Sequence, residues 1–480
     1  MLDCTTLDPS LPSSGGRAPD RILALAVCWS ASGDHWGEVL RVSASTPSSG
    51  WVFGRESSTK EEPGRLKLVR ERPGSLERKP LDSPYISRAQ MLLRGERDRI
   101  EVQNIGKRRL IVDDGTSVSR AVIRPGQTLE IENQLLFVCV ERTTGDRLKL
   151  ASASHAFGTA DPHGIVGESP AAWQLRESMA FLAARSAHVL LLGESGTGKE
   201  LAAQGIHALS DRHRRPLVAR NAAVFPPGLI DAELFGNIAN YPNAGSPERP
   251  GLVGQAHGST LFLDEIGELP LDLQAHLLRV LDENGEYQRL GEARPRTADI
   301  RLIGATARSI DRLRSDLAAR FKLRLRLPGL NERREDIPLL VRHLLEQAAH
   351  EDSKLTARSP RLTPRLMRFL VTHRYTTHVR ELDALLWREL AKDGDRLDLS
   401  DAVGDAARTQ TPDNEKRIAL SRGAPTAQEI AECLERNGGV QEHAWRELGL
   451  SSRYALKRLM RKYGIRCGDG SGVVGSQRCP

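Results

Sequence analysis

Apolar and polar positions alternate in two different ways along the chain. Between residues 21 and 150, short β-type segments are separated by turns: ILALAVCW, VLRVSAS, WVFGR, LKLVRER, RIEVQNI, RRLIVDDG and LEIENQLLFVCVER. Segments of this length and composition predict an all-β sandwich. From residue 164 onward, longer helical segments lie between apolar runs, which predicts a different kind of domain.

The central region contains five candidate buried strands, HVLLLG (188–193), PLVARNA (216–222), TLFLDE (260–265), DIRLIGAT (299–306) and KLRLRL (322–327). Helical stretches lie between most of them. Strands that alternate with helices are typical of a parallel sheet covered by helices. The sequence therefore predicts an α/β domain here.

Three helical segments are predicted near the C-terminal end, at 426–438, 440–450 and 451–465. In the third, apolar residues recur at helical spacing and are predicted to face a core: Ala455, Leu456, Leu459, Met460 and Tyr463. Polar and basic residues fall largely on the other faces: Ser452, Arg453, Lys457, Arg458, Arg461 and Lys462. This pattern predicts a helix-turn-helix whose third helix enters the major groove of DNA. The alternative is a small basic three-helix bundle that binds protein.

Composition narrows the class of protein. The 480 residues suffice for about three domains. A net charge of +7 permits nucleic-acid binding without establishing it. The six cysteines include no CxxC pair, which argues against a zinc site and a disulfide framework and favours a reducing compartment. The longest apolar runs are too short to span a bilayer, so we expect a cytoplasmic protein.

Segments outside these domains are predicted to lack a fold of their own. Residues 1–20 are rich in Ser, Pro and Gly and are expected to be disordered. Residues 401–424 are polar and mixed in charge, which is typical of a linker, and 467–480 are expected to form a disordered tail. The helix-turn-helix domain would then occupy 425–466.

One stretch places a candidate phosphate site between a predicted strand and a predicted helix. After the apolar run 189–192, residues 193–199 read GESGTGK. In such a loop the backbone N–H groups and the positive helix end point at phosphate, and the lysine reaches the terminal phosphates. The alternative is a tight turn, but the full spacing favours a nucleotide loop. The candidate contacts are Gly193, Glu194, Ser195, Gly196, Thr197, Gly198, Lys199 and Glu200.

Two acids end another predicted strand, in LFLDEIGELP (261–270). Ligands bind at the carboxyl edge of such sheets. Asp264 is therefore predicted to hold Mg²⁺ through its oxygens, and Glu265 to orient or polarise the attacking water. Together with the GxxxxGK loop, this pair predicts ATP hydrolysis. Glu200 stands where the general loop motif has a Ser or Thr for magnesium, so the metal must be held mainly from elsewhere.

These motifs resemble the AAA+ domain of bacterial enhancer-binding proteins, the ATPases that activate sigma-54 RNA polymerase. The matching segments are GESGTGKE, ELFG (233–236), AHGSTLFLDEIGELP (256–270), ERREDIPLL (332–340) and VREL (379–382). The resemblance implies an α/β ATPase core at 164–328 and a helical lid at 329–400. It also accounts for Glu200, since GESGTGKE is that family's own loop.

The resemblance implies roles for further residues on the nucleotide. Ile165, Val166 and Gly167 would lie against adenine. Asn221 would couple Glu265 to the state of the nucleotide.

Three arginines also match positions that the family uses. Arg380 matches the sensor-2 arginine, while Arg314 and Arg320 fall where the family places arginine fingers that reach a neighbour's ATP. A finger from the next subunit implies a homo-oligomeric ring, for which we expect a hexamer. The alternative for Arg314 is ordinary surface charge.

The chain departs from the family pattern at three places. The GAFTGA loop that touches sigma-54 should follow ELFG, but the chain reads ELFGNIANYPNAGSPERPG, with Tyr-Pro-Asn at 241–243 and three prolines that stiffen the loop. Ala307 stands where the family has an asparagine. Residues 375–382 read YTTHVREL in place of WPGNVREL.

The N-terminal sandwich contains FGR, ISRAQ and VQNIGKRR, a set that resembles a forkhead-associated (FHA) domain, which binds phosphothreonine peptides. By resemblance, Arg55, Ser87 and Arg88 would bind phosphate and Asn104 the peptide backbone. Arginine suits a dianionic phosphate by charge and geometry. Gln90 departs from the family, which usually has a structural His there. The alternative is a β-sandwich with solvated arginines.

Three functions are compatible with these patterns. The first is a regulator, closed by a domain similar to the Fis type, that binds double-stranded DNA and uses an ATPase ring to remodel RNA polymerase holoenzyme. A phosphothreonine protein or Ser/Thr kinase would act on it through the FHA-like domain. The second is a DNA-binding regulator that acts independently of sigma-54, because the GAFTGA loop is replaced. The third is a phosphopeptide-binding scaffold with a vestigial ATPase, against which Lys199, Asp264 and Glu265 argue.

Overall fold

The computed structural model describes two compact units, Met1–Leu399 and Ser400–Pro480. The described residues of the first are 5–7, 21–43, 50–56, 64–113, 115–143, 154–226, 228–282, 284–352, 355, 361–392 and 396–399. Those of the second are 430, 431, 433, 434, 460 and 463. No helix among these residues is long and apolar enough to cross a membrane.

The second unit contains the predicted DNA-binding region. Ser452, Arg453, Lys457, Arg458 and Arg461 lie outside the described residues, as do 401–424 and 467–480. Four apolar residues of this unit are described and buried: Ile430, Cys433, Leu434 and Met460. The first three recur at the spacing of one helix face.

Strand β1 (Thr5–Leu7) pairs in parallel with the edge strand of the central α/β sheet, at Leu323–Leu325. The prediction that residues 1–20 are disordered is therefore wrong for these three residues. The edge strand offers a row of backbone N–H and C=O groups, and a short Thr-rich segment satisfies them. The partner strand lies more than 300 residues away in the chain, so the sequence around residues 5–7 contains no pattern that predicts this pairing.

Residues 21–143 form two antiparallel sheets, which confirms the predicted all-β region. The strands are β2 (Arg21–Ser30), β3 (Val39–Val42), β4 (Trp51–Phe53), β5 (Val69–Arg72), β6 (Ser75–Arg78), β7 (Met91–Gly95), β8 (Ile100–Asn104), β9 (Leu110–Val112), β10 (Ser117–Val118), β11 (Arg120–Ile123), β12 (Thr128–Ile131) and β13 (Leu135–Thr143). The larger sheet has the order β10-β9-β12-β13-β2-β3-β5-β6, and the smaller one β11-β8-β7-β4. Phe53 and Phe137, from the two sheets, meet edge to face with their ring centroids 5.9 Å apart.

The two central strands of the larger sheet are buried on both faces. In β13, Leu135, Phe137 and Cys139 point into the sandwich core, while Leu136 and Val138 join a second cluster. Successive side chains of a strand point to opposite faces, so a continuous apolar run requires cover on both sides.

The central domain has a parallel sheet in which β1 is followed in space by Leu323–Arg326 (β20), Val189–Leu192 (β14), Ile300–Thr306 (β19), Ser259–Asp264 (β16) and Val218–Asn221 (β15). The strands of the central domain and the lid are β14 (Val189–Leu192), β15 (Val218–Asn221), β16 (Ser259–Asp264), β17 (Glu286–Tyr287), β18 (Arg296–Thr297), β19 (Ile300–Thr306), β20 (Leu323–Arg326), β21 (Arg361–Leu362) and β22 (Arg396–Leu397). All five predicted strands are present and parallel, which confirms the α/β domain. β17 and β18 form a separate antiparallel hairpin.

Nine α-helices are described in the first unit, and they are α1 (Pro170–Ala183), α2 (Lys199–Ala208), α3 (Ile230–Phe235), α4 (Gly251–Gln255), α5 (Leu271–Leu281), α6 (Ser315–Arg320), α7 (Ile337–Glu351), α8 (Pro364–Thr372) and α9 (His378–Leu390). Short 3₁₀ turns occur at Ala222–Val224, Ile266–Glu268, Ile310–Arg312, Leu330–Glu332 and Arg334–Asp336. α1 and α8 begin at a proline, and the preceding Ser169 and Thr363 cap them by accepting backbone N–H bonds.

The lid helices α7 and α8 cover the outer face of β2 and β13. Ala24, Ala26 and Leu136 of the sandwich belong to the same apolar cluster as Leu339 and Leu370 of the lid. Trp29 also donates from Nε1 to the Leu362 carbonyl at 2.8 Å. The second face of the sandwich sheet is thus buried by the lid.

Candidate active site

The loop 193–198 connects β14 to α2 and forms an anion cradle. Gly196 and Gly198 have φ of +79° and +96°, a region that side chains other than glycine rarely adopt. A Cβ atom on Gly196 would lie 2.1 Å from the Thr377 carbonyl oxygen, so only glycine fits against the lid. α2 begins without a side-chain cap, which leaves its first N–H groups directed at the loop.

Lys199 lies between this loop and the acidic pair. Its side chain is only 7% exposed, and Nζ donates to the carbonyls of Gly193 (2.9 Å) and Glu194 (3.3 Å). The same nitrogen lies 3.7 Å from Glu265 Oε1. The Lys199 ammonium is therefore held where it can interact with both a bound phosphate and the Glu265 carboxylate.

The acidic pair lies at the carboxyl end of β16. Burial raises the pKa of Asp264, against the attraction of Lys199. Glu265 adopts a left-handed conformation, with φ of +49°, and its Oε2 accepts a hydrogen bond from the Ala307 N–H at 3.1 Å. Ala307 lacks the amide side chain found in the family, but its backbone still holds the carboxylate.

Asn221 is in register with Asp264 on the neighbouring strand β15. Its Nδ2 donates to Asp264 Oδ2 at 3.3 Å, and its Oδ1 accepts from the Ala223 N–H at 2.9 Å. The structure thus joins Asn221 to Asp264, whereas the sequence analysis assigned it to Glu265. Any coupling to Glu265 passes through Asp264, whose Oδ1 accepts the Glu265 N–H at 3.0 Å.

The predicted adenine segment is fixed to the start of the lid. Ile165 and Val166 are buried. A Cβ atom on Gly167 would lie 2.6 Å from Asp336 Oδ2. Asp336 Oδ1 accepts the N–H groups of Glu168 (2.8 Å) and Ser169 (2.9 Å). A change in the position of Asp336 would therefore move this segment.

The first residues of α9 contact the phosphate loop. Arg380 donates from Nη1 to Ser195 Oγ at 2.7 Å, and the Val379 N–H donates to the Gly196 carbonyl at 3.2 Å. Nε2 of His378 lies 2.8 Å from Glu194 Oε2. The structure thus brings the predicted sensor-2 arginine to the loop. No role for His378 was predicted from its sequence context, although its place in YTTHVREL marks a departure from the family.

The two candidate fingers lie at the surface beside α6. Arg314 pairs with Asp316 at 2.7 Å and Arg320 with Asp282 at 2.5 Å, and their side chains are 39% and 48% exposed. These ion pairs hold both arginines near acids of their own chain rather than at its phosphate loop.

The loop that replaces GAFTGA is closed on itself. Asn237 and Arg249 exchange two backbone hydrogen bonds of 3.0 Å each. The buried Asn237 amide donates to three carbonyls of the loop, those of Ile238 (3.0 Å), Tyr241 (3.2 Å) and Pro247 (2.9 Å). This side chain thus ties the two ends of the loop to its tip.

The β17–β18 hairpin packs against this closed loop. The Ile238 N–H donates to the Leu290 carbonyl at 3.1 Å. A Cβ atom on Gly291 would lie 2.7 Å from the Tyr241 ring. The loop and the hairpin therefore form one surface.

A second candidate site joins three loops at one end of the sandwich. The Arg55 N–H donates to the Ser87 carbonyl at 3.0 Å, and Ser87 Oγ accepts the Lys107 N–H at 3.0 Å. Arg88 is exposed, and its carbonyl accepts a hydrogen bond from Arg65. The predicted phosphopeptide residues therefore lie on loops that contact one another.

Gln90, which stands where FHA domains usually have a histidine, connects these loops. It is fully buried, and its Nε2 donates to Asn104 Oδ1 (3.0 Å) and to the Arg108 carbonyl (2.9 Å). Its Oε1 accepts the Ser87 N–H at 3.3 Å. An amide supplies both donors and an acceptor, so it can join the Ser87 loop to the Asn104 loop.

Two protein families match this chain. The Sigma-54 interaction domain matches residues 165–331, and the AAA+ ATPase lid domain matches residues 331–417. The Escherichia coli (strain K12) transcriptional regulatory protein ZraR is 35% identical over 311 residues, covering 63% of this chain and 70% of ZraR.

Two further proteins show the same similarity. The Salmonella typhimurium DNA-binding transcriptional regulator NtrC is 37% identical over 282 residues, and the match covers 57% of this chain and 59% of NtrC. The crystal structure of NtrX from Brucella abortus in complex with ATP is 29% identical with a TM-score of 0.46, and covers 63% of this chain and 69% of NtrX.

Proposed function

Because this chain belongs to the family of AAA+ transcriptional regulators with a sigma-54 interaction domain, we propose that it hydrolyses ATP in a homo-oligomeric ring to remodel RNA polymerase holoenzyme. The observation that carries this proposal is the convergence of Lys199, Glu265 and Arg380 on one phosphate loop. The test is ATP-dependent opening of a promoter by sigma-54 holoenzyme.

The residues present fit Mg-ATP. The N–H groups at the start of α2 and the Lys199 ammonium would bind the terminal phosphates. Within the described ranges, no group of three or more His, Cys, Asp or Glu side chains could hold a metal ion. Mg²⁺ usually keeps waters and binds one or two carboxylates besides the phosphates, which suits Asp264. The bound ion would neutralise charge on the phosphates.

Glu265 is proposed to orient the attacking water. Its Oε2 is held by the Ala307 N–H, and its Oε1 faces Lys199. A carboxylate held by one oxygen can use the other to hold a water in line with the phosphate, and positioning supplies much of the catalysis in phosphoryl transfer. The finger, Arg320 or Arg314, would come from the next subunit in the ring.

The C-terminal unit is proposed to bind double-stranded DNA upstream of promoters. The predicted basic helix carries five candidate DNA contacts, and the burial of Ile430, Cys433 and Leu434 supports a helical core in this unit.

A second candidate function keeps the ATPase and changes its target. The closed loop at 237–250 favours it, because the loop has no Phe-Thr pair and its tip is tied down by Asn237. In that case the ring would act on a holoenzyme other than that of sigma-54.

The FHA-like sandwich is proposed to control the ATPase through the lid. Arg142 of β13 forms a two-pronged ion pair with Glu335, with one contact of 2.9 Å, and Arg368 of α8 pairs with Glu130 of β12. Glu335 precedes Asp336, which holds the adenine segment. Phosphothreonine binding at the far loops could thus reach the nucleotide by moving β13.

We expect Arg55→Ala to weaken binding of a phosphothreonine peptide by tenfold or more, because a charge-assisted contact to phosphate is lost, at a cost of about 1.5–3 kcal/mol. Isothermal titration of phosphorylated and unphosphorylated peptides into the full chain measures this. Arg124→Ala, on an exposed turn between β11 and β12, is the matched control. Equal affinity of Arg55→Ala and wild type would remove the phosphopeptide assignment.

Stability of the first unit should depend on the ionisation of Glu335. Burial raises the pKa of Glu335 from 4.5 to about 7. A raised pKa in the folded state means that this group's contribution to stability is complete below pH 4.5 and is lost as the pH rises through 7.

Glu335→Gln should therefore flatten the fall in unfolding free energy between pH 5 and pH 8. Urea unfolding of wild type and variant across that range measures the difference. If both lose stability with the same pH slope, the account of Glu335 is wrong.

A further inference from the structure

We propose that His378 is a positioning residue of the ATPase cycle, which couples the phosphate loop to the hinge of the lid by bridging Glu194 and Leu330. This inference rests on the proposed ATP hydrolysis. It identifies the residue through which the position of the lid depends on the nucleotide. His378 itself touches neither nucleotide nor metal in this account.

His378 is a buried polar residue with both ring nitrogens engaged. It is 3% exposed, its Nδ1 accepts the Leu330 N–H at 3.2 Å, and its Nε2 lies 2.8 Å from Glu194 Oε2. Because Nδ1 accepts a hydrogen bond, the neutral ring carries its proton on Nε2, which donates to the Glu194 carboxylate. One side chain therefore links the loop to the first turn of the lid.

The backbone around His378 is shaped for this link. His378 has φ of +48°, which is uncommon for a residue other than glycine and costs energy. A Cβ atom on Gly329 would lie 2.4 Å from the imidazole Cε1. Only glycine at the hinge leaves room for the ring.

Three consecutive residues of α9 contact three consecutive residues of the phosphate loop. His378 reaches Glu194, and Arg380 reaches Ser195. The backbone of Val379, between them, donates to Gly196. If Arg380 turns toward a bound phosphate, the N-terminal end of α9 would move with it. His378 would then displace Leu330, at the hinge of the lid, through their hydrogen bond. The angle of the lid would thus follow the state of the nucleotide.

Steady-state ATP hydrolysis by His378→Ala tests the role of this residue. We expect kcat to fall about tenfold with little change in KM, because the loop still binds ATP but the lid no longer follows it. His378→Gln, whose amide can both donate and accept, should restore part of the lost kcat. An unchanged kcat in His378→Ala would overturn the proposal.

His35 provides a matched control. It is also buried, has φ of +68°, and pairs with Glu38 at 2.6 Å, but lies in the sandwich. His35→Ala should lower thermal stability to a similar degree and leave kcat near the wild-type value. A loss of kcat in His35→Ala equal to that in His378→Ala would show a general effect of destabilisation and overturn the proposal.

Hydrogen exchange at the Leu330 amide provides a readout that requires no turnover. We expect faster exchange in His378→Ala and also in Glu194→Ala, although Glu194 makes no direct bond to that amide. Unchanged exchange in Glu194→Ala would overturn the coupling even if the ATPase is active. If both variants exchange faster than wild type but wild type does not hydrolyse ATP, the coupling stands and the proposed function is refuted.

Discussion

Glu265→Gln is expected to reduce ATP turnover by roughly a hundredfold or more while ATP still binds, the size typical of losing a catalytic base. The glutamine keeps the shape of the side chain but loses the charge that faces Lys199 and polarises the water. Lys199→Ala should lose both turnover and tight binding, since its ammonium is the buried cation of the loop. Phosphate release and calorimetric ATP binding separate the two effects.

Glu268→Gln is the matched control for this prediction. Glu268 lies three residues away, at the end of the turn Ile266–Glu268, and pairs with Arg308 at 2.7 Å. Its removal should leave turnover nearly unchanged. Near-normal turnover in Glu265→Gln or Lys199→Ala would contradict the assignment of this site as an ATPase.

Arg320→Ala is expected to lose turnover by roughly a thousandfold yet still bind ATP, as the loss of an arginine finger does in related phosphoryl transfer. Arg320 lies at the surface and, among the residues that the structure describes, pairs with the half-exposed Asp282, so it is available to a neighbouring subunit. Mixing Arg320→Ala with Lys199→Ala should restore part of the activity. Some interfaces would then join an intact loop to an intact finger.

Arg312→Ala, an exposed arginine of the same segment, should retain turnover. Absence of rescue at every mixing ratio, in complexes shown to be mixed, would argue that the finger acts within its own chain. The same mixing with Arg314→Ala tests the second candidate finger.

The nucleotide site was predictable because its signals are local. In residues 193–199, the spacing of the glycines and the lysine is enough to predict the phosphate loop and the start of the following helix. The acids 264 and 265 come directly after an apolar run that predicts a strand. Parallel strands bring their carboxyl ends to one edge, so the acids that end β16 lie beside Lys199.

What the sequence did not predict depends on distant partners. β1 is a strand only because β20 presents a free edge to it. The outer face of β2 and β13 is apolar because lid helices cover it. The apolar pattern of a strand does not show which element of the chain packs against it. His378 and Glu194 are 184 residues apart in the chain. The phosphate-loop motif includes Glu194, but no pattern in the sequence pairs it with His378.

Gln90 shows how a departure from the FHA-like pattern can still hold the loops together. A glutamine in place of histidine suggests weaker loop support, yet its amide makes three of the bonds that hold the loops together. Whether a substituted side chain can support the loops depends on where its donors and acceptors lie, and not on its residue type alone.

Open-complex formation by sigma-54 holoenzyme on a supercoiled promoter tests the central claim most directly. Wild type and Glu265→Gln are compared, each with ATP and with an analogue that resists hydrolysis, and melted DNA is detected by permanganate. The account predicts melting only with wild type and ATP. Wild type that turns over ATP but opens no promoter with sigma-54 holoenzyme would contradict it.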